Sequence, residues 1–442
     1  KTSPRGGLSH ALCRFICSAW RTMLCCCNVA KPEAHSKAAN MQEGRKAANM
    51  QEGRKATRKG SERGDGTEPA TILDAAWEGR PDYVKKFLSS GSCADAADED
   101  GQTSLHLAAQ EGHSAVVGLL IGEGQASVDL SDSSGSSALL QAAKEGHLEV
   151  VKQLLNQGCS RCVDTPNKVG DTPLLCAVQR DHADMIHLLL TQGQAKSVDT
   201  PNKDGETALN IAAGKGETEI VRILLREGKT RAVDTPDNLG WTPVLLASYS
   251  GHVSVLELLL REGRAQSVDT PNKAGETPLL CAAKQGHKEI ERLLLTEGHA
   301  KSVDTPDKDG ETPLLMAAQE GRAESVRLLL TKAMSRSVDV PNKNKETPLL
   351  LAAQEGMIDV VNVLLKEGRS QAVNVAAADG RTPLIAAARF GFTRVCQVLL
   401  EHGADRRARV RGSEFIGSDG TAEEVARENG HTEVVALLGG GT

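Results

Sequence analysis

The chain has 442 residues and a net charge of −6, and aromatic rings make up only 2 % of it. A core of Leu, Ala, Val and Ile with so few rings suits closely packed short helices and not a large globular enzyme. The charge divides unevenly: residues 1–68 carry 13 Lys/Arg against 6 Asp/Glu, and the remainder 39 against 52, so the body lacks the basic surface that nucleic acid requires.

Residues 1–69 read as a basic, low-complexity, disordered tail. Leu8, Leu12, Phe15, Ile16, Ala19, Trp20, Met23 and Leu24 fall at helical spacing, predicting an amphipathic helix over 8–27. Arg14 and Arg21 interrupt it as a membrane span. No stretch of the chain reaches about 18 apolar residues. Three readings stand for the segment. A basic helix with a Trp can lie on an anionic membrane surface, with Cys25, Cys26 and Cys27 as lipidation sites. An acid-free, Arg-containing start also fits an organellar transit segment. The third reading gives it no role. Residues 37–45 (KAANMQEGR) recur at 46–54, polar and unable to bury a core. The first residue is Lys, not Met, which keeps open a longer polypeptide with a catalytic domain upstream. The eleven Cys are scattered, five of them in the tail. That is no disulfide framework, and it points to a reducing, cytoplasmic compartment with membrane association if the tail anchors.

From Gly101 one pattern recurs: Gly-x-Thr-Pro-Leu-x-x-Ala-Ala-x-x-Gly-His-x-x-x-Val-x-x-Leu-Leu. It opens at Gly101, Gly135, Gly170, Gly205, Gly240, Gly275, Gly310, Lys345, Gly380 and Gly420. One step is 34 residues, seven are 35 and the last is 40. Ala75-Ala76 and Gly79 extend it upstream, giving about eleven units over 70–442. In the unit 275–309, Thr277 can cap a helix and Pro278 fits its first position. Leu279, Ala282 and Ala283 then share one face, and Gly286 ends the helix. His287 opens a second helix with Ile290, Leu293 and Leu294 as its stripe, closed by Gly298. Helices this short need stacked neighbours. The links VDTPNK, at 163–168, 198–203 and 268–273, carry turn chemistry, and their Val flanks are expected to pair as a small hairpin. The exit unit carries Glu423, Glu424 and Arg427 in place of apolar residues, as a terminal unit needs, so the repeats are expected to end at or near 442.

These residues resemble the ankyrin repeat: Thr-Pro-Leu, Ala-Ala, Gly-His and Leu-Leu stand in register over roughly 70–440. The resemblance implies an all-α repeat solenoid of stacked helix–turn–helix units with short hairpin-like loops. It also implies a monomeric, non-catalytic scaffold that binds another protein through its concave face. A structural spacer is the remaining alternative. The period here is 35 instead of about 33. The two extra residues fall before the turn (263–268) and are expected to lengthen the hairpin loop. Only His106 keeps the His that follows Thr-Pro-Leu.

No catalytic, cofactor or metal site is expected. His113, His147, His182, His252, His287 and His431 all occupy one slot of the repeat. A site needs convergent geometry, not repeated copies, so they read as turn residues. Cys159-x-x-Cys162 has no second pair at zinc spacing and reads as loop variation.

The slot just after Ala-Ala is expected to face a partner. It holds Gln110, Lys144, Gln179, Gly214, Tyr249, Lys284, Gln319, Gln354 and Arg389. Tyr249 is the outlier, and Trp241 in the same unit stands where most units have Glu, Asp or Gln. Exposed aromatics are common interface anchors, so this pair is the first candidate contact, with local packing as its rival. The second is Arg389, Phe390 and Phe392, followed by Arg406, Arg407, Arg409 and Arg411 in the widened link. These arginines could receive an acidic peptide or phosphate, or form a solvated loop.

Overall fold

The computed structural model describes residues 68–158, 162–410 and 419–439. The helix predicted over 8–27, Cys25, Cys26, Cys27, Cys159 and Arg411 lie outside the described residues. A compact unit runs from Pro69 onward. Within it the described residues form helix pairs, from Ile72–Trp77 with Pro81–Ser89 to Ala422–Glu428 with Thr432–Gly439. First helices pack on the first helices before and after them, and second helices on second helices. The fold is an all-α repeat solenoid.

The helices start as the sequence dictates. Thr277 stands at the N-cap of Pro278–Gln285, where its hydroxyl accepts from the Leu280 N–H at 3.3 Å. Gly286 follows at φ 78°, a left-handed conformation that glycine adopts without steric cost. Burial is wider than a single stripe: Pro278 through Ala283 are all buried. Each internal first helix is enclosed by both neighbours and by the second layer, so almost every side of it becomes core. Leu280, Leu315 and Leu350, off the expected face, join Met316, Leu351 and Ala377 in a separate apolar seam.

Gly298 behaves differently from expectation. The left-handed residue that closes the second helix Lys288–Thr296 is His299, at φ 51°. Gly298 is required for space: a Cβ there would stand 2.6 Å from Val268 Cγ1 and 2.8 Å from the Leu294 carbonyl oxygen.

The two extra residues of the period do not lengthen the hairpin. The Val flanks do not pair as strands either. They sit in short 3-10 turns such as Ser197–Asp199, Ala232–Asp234 and Ser267–Asp269, with Val198 and Val233 buried in the core. The aspartate of each link then reaches into the next unit. Asp164 accepts from the Lys196 and Ser197 N–H groups, both at 2.9 Å. Asp234 accepts from Gln266 and Ser267 at 3.0 and 2.9 Å, and Asp269 from Lys301 and Ser302, both at 2.9 Å. Asn374 plays this part for the Asp405 N–H at 2.8 Å. The hairpin-like turns are closed inside by Asn or Asp: Asn202 Oδ1 accepts from Asp204 and Glu206 at 3.0 and 2.9 Å. Their tips also tie backbone to backbone, Lys203 N–H to Val169 and Asn238 N–H to Asp204. The bonds to the link aspartates are charge-assisted, and such bonds contribute about 1.5–3 kcal/mol each. Asp269→Ala is therefore expected to lower stability by about 2 kcal/mol, read as the urea midpoint, and an unchanged midpoint would make the link aspartates ornamental.

The second helices carry ion pairs between units. Arg226 grips Glu262 through two bonds of 2.8 Å, and Arg261 grips Glu297 at 2.8 and 2.6 Å. Such exposed pairs add little individually. One column breaks the apolar pattern. Glu291 stands where other units have Val221, Leu256 or Val326, and it is fully buried. Its Oε1 accepts from the Ser325 hydroxyl at 2.6 Å.

Candidate functional site

Two slots of the repeat meet in space: the residue after the opening Gly, and the slot after Ala-Ala. Gln179 donates to Asp171 at 3.1 Å, and Lys284 stands 3.6 Å from Glu276. In the unit just before that of Lys284, the same two slots hold Trp241 and Tyr249, edge to face with ring centroids 5.3 Å apart and planes at 75°. Their backbones are fixed. Asp237 accepts from the Trp241 N–H at 2.8 Å, while Asn210 donates to the Trp241 carbonyl at 2.9 Å. Tyr249 lies in the last turn of the helix Pro243–Ser250, and His287 of the next unit donates to its carbonyl at 3.2 Å. The rings pack on each other. Tyr249 nevertheless remains 45 % exposed and Trp241 is half-buried.

The second candidate is partly brought together. Arg389 Cζ stands 5.5 Å from the Phe390 ring centroid, and Phe390 is 6.1 Å from Phe392. Phe390 is exposed, but Phe392 packs against the core. Burial, and then the nearby Arg381 charge, lower the Arg389 pKa. In the widened link, Arg406 donates to the Leu438 carbonyl at 3.2 Å and Arg409 pairs with Glu424 at 3.2 Å. Arg409–Val410 also pairs antiparallel with Gly420–Thr421. These two arginines secure the last helix pair, and Arg407 is exposed beside them.

The histidine slot has a structural task. Nε2 of His113 donates to the Trp77 carbonyl at 3.0 Å, His147 to Gln110 at 2.9 Å, His252 to Gly214 at 3.1 Å and His431 to Arg389 at 2.8 Å. Each ring covers the Gly of the preceding unit, and Arg322, Met357 and Phe392 cover Gly286, Gly321 and Gly356 in the same way. Where Glu217 takes the slot, Lys215 donates to the orphaned Gln179 carbonyl at 2.8 Å. A family model for ankyrin repeats, described as three copies, matches in overlapping sets from 72–164 through 331–410. The chain belongs to the ankyrin-repeat family. It is similar to an ankyrin repeat-containing protein, P1E11.10, of Schizosaccharomyces pombe, with 41 % identity over 58 residues. That match covers 13 % of this chain and 28 % of the yeast protein.

Ankyrin repeats are protein–protein interaction modules, and the chemistry of these units agrees with that role. Among the described residues no group of three or more His, Cys, Asp or Glu could hold a metal ion. No helix among them is long and apolar enough to cross a membrane. The cysteines Cys176, Cys281 and Cys396 are buried, and desolvation pushes the Cys176 thiol up to about 12. Cys162 is buried and its sulfur is engaged in a disulfide, so it is more than the loop variation expected from the sequence.

Arg381 is a site residue that the sequence pattern did not single out. It stands in the Trp241 slot, where other ankyrin units have Glu206, Glu276, Glu311 and Glu346, and it is buried. Its guanidinium donates to Glu346 at 2.6 Å, to Asp379 at 2.7 Å and to Gln354. The signal was a basic residue in an acidic column. Gly214 was visible in its slot without its consequence: the slot one unit before Tyr249 carries no side chain.

Proposed function

We propose that this chain is a protein-binding scaffold whose partner docks on the face built from turn tips and first helices, with Trp241 and Tyr249 at the centre of the contact. The observation that carries this reading is the aromatic pair itself: Tyr249 is 45 % exposed and both residues are held through their backbones by neighbouring units. Rings held in this way lose little entropy on binding, and buried aromatics dominate interface energetics. Phe390, with Arg389 beside it, gives a second contact on the same slot. The reading keeps a monomer, no catalytic role and a cytoplasmic setting, with membrane contact assigned to residues 8–27.

Capture from source-cell lysate tests it, with the full chain and its Trp241→Ala/Tyr249→Ala variant as baits. Each truncation is expected to cost about 2 kcal/mol, roughly 30-fold in Kd, so a partner recovered by the parent should be absent from the variant. Equal recovery by both would place the contact elsewhere.

A further inference from the structure

We propose that the aromatic pair receives a basic side chain, arginine above all, from an extended segment of the partner protein. This rests on the docking reading above and specifies its chemistry. The pair interrupts an acidic column. Glu206 precedes Trp241 by one unit and Glu276 follows it by one, both half-buried. Their carboxylates are steadied by Asn202 Nδ2 at 3.2 Å and Asn272 Nδ2 at 2.8 Å. A cation arriving over the rings therefore meets the Glu206 carboxylate on one side and, on the other, Glu276, which stands 3.6 Å from Lys284.

Room exists on one flank. Gly214 occupies the slot that holds Gln or Lys elsewhere, and a Cβ there would meet nothing closer than Leu246 Cδ2 at 3.7 Å. A long side chain can lie along that gap and reach the exposed Tyr249 ring. On the other flank, Lys284 shows how the column treats a cation. Burial works against its ammonium, yet Glu276, with Glu311 and Asp307 beyond, holds its pKa above the ordinary lysine value. The wider charge agrees: residues 69–442 carry 39 Lys/Arg against 52 Asp/Glu, so an acidic segment would be repelled and a basic one steered in.

Arginine is favoured over lysine. Its planar guanidinium stacks on ring faces, is more weakly hydrated, and presents several donors to carboxylates on both sides. Lysine offers a single, strongly hydrated point charge.

Fluorescence anisotropy with the full chain tests this, using labelled twelve-residue Gly/Ser peptides with a central arginine, lysine, citrulline or glutamate. Citrulline keeps the shape of arginine without its charge. The arginine peptide is expected to bind at least 10-fold more tightly than the citrulline peptide, with lysine between them. Tyr249→Ala should weaken arginine binding at least 10-fold, Tyr249→Phe should preserve it, and Glu206→Gln/Glu276→Gln should narrow the arginine–citrulline gap. Equal binding of arginine and citrulline, both lost in Tyr249→Ala, would overturn the basic specificity and leave the aromatic docking site standing. Arginine binding unchanged in Tyr249→Ala, with circular dichroism matching the parent, would overturn both.

Discussion

Replacing Glu291 by valine is expected to stabilise the protein at pH 8 and to remove a pH dependence that the parent carries. Glu291 is fully buried in the second-helix layer, with the Ser325 hydroxyl donating to it at 2.6 Å. Desolvation lifts its pKa from 4.5 to about 7, with the Ser325 bond and the Lys288 charge pulling the other way. A raised folded-state pKa means that the native protein holds its proton where the unfolded chain has lost it. Stability is then fullest below pH 4.5, falls as pH rises through the window to about 7, and is level above it. The loss over that window is on the order of 3 kcal/mol. Glu291→Val makes the site uniformly apolar and should show no such fall. Glu291→Gln, neutral but polar, should also be flat. Because repeats open locally, the measurement is hydrogen exchange of Lys288–Thr296 at pH 5 and pH 8. Equal pH responses in parent and Glu291→Gln would refute the assignment.

Arg381→Met is expected to destabilise by about 3 kcal/mol. The guanidinium is buried and donates to Glu346 at 2.6 Å, to Asp379 at 2.7 Å and to Gln354. Removing one partner of a buried pair strands the others, which generally costs about 3–5 kcal/mol. Here Asn342 still donates to Glu346 at 2.9 Å, which places the value at the lower end. Arg381→Lys should recover only part of the loss, since one ammonium cannot serve three separated acceptors. Guanidinium-chloride unfolding decides it. A methionine variant as stable as the parent would show that packing alone holds the unit.

Much of this was legible in the amino-acid sequence because local rules and the repeat agree. Thr277-Pro278 with Gly286 and Leu279 with Ala282 each point to the same helix boundaries, and the structure puts them there. The aromatic pair was legible as two outliers in one unit, though not its edge-to-face contact, which depends on how two slots converge. Three features were hidden for physical reasons. The link aspartates looked like turn residues because their partners lie in the next unit, 32 or 33 residues on. Gly298 looked like the residue that closes its helix, yet the constraint on it is steric, from Val268 of the preceding link. Glu291 passed as ordinary variation because its burial comes from neighbouring helices and not from its own.

The ties between units described above join nearest neighbours, and this has a genetic corollary. The segments 195–207 and 300–312 differ at one position and lie three units apart. Unequal exchange between their coding stretches would splice residue 207 to residue 313. Asp199 of the junction would then meet the Arg336 and Ser337 N–H groups that Asp304 now holds. The shortened product would keep the repeat register through the junction, while Ser325 would lose its bond to the deleted Glu291. It would also lack Trp241 and Tyr249, so alleles of different length could share one architecture while differing in what they recognise.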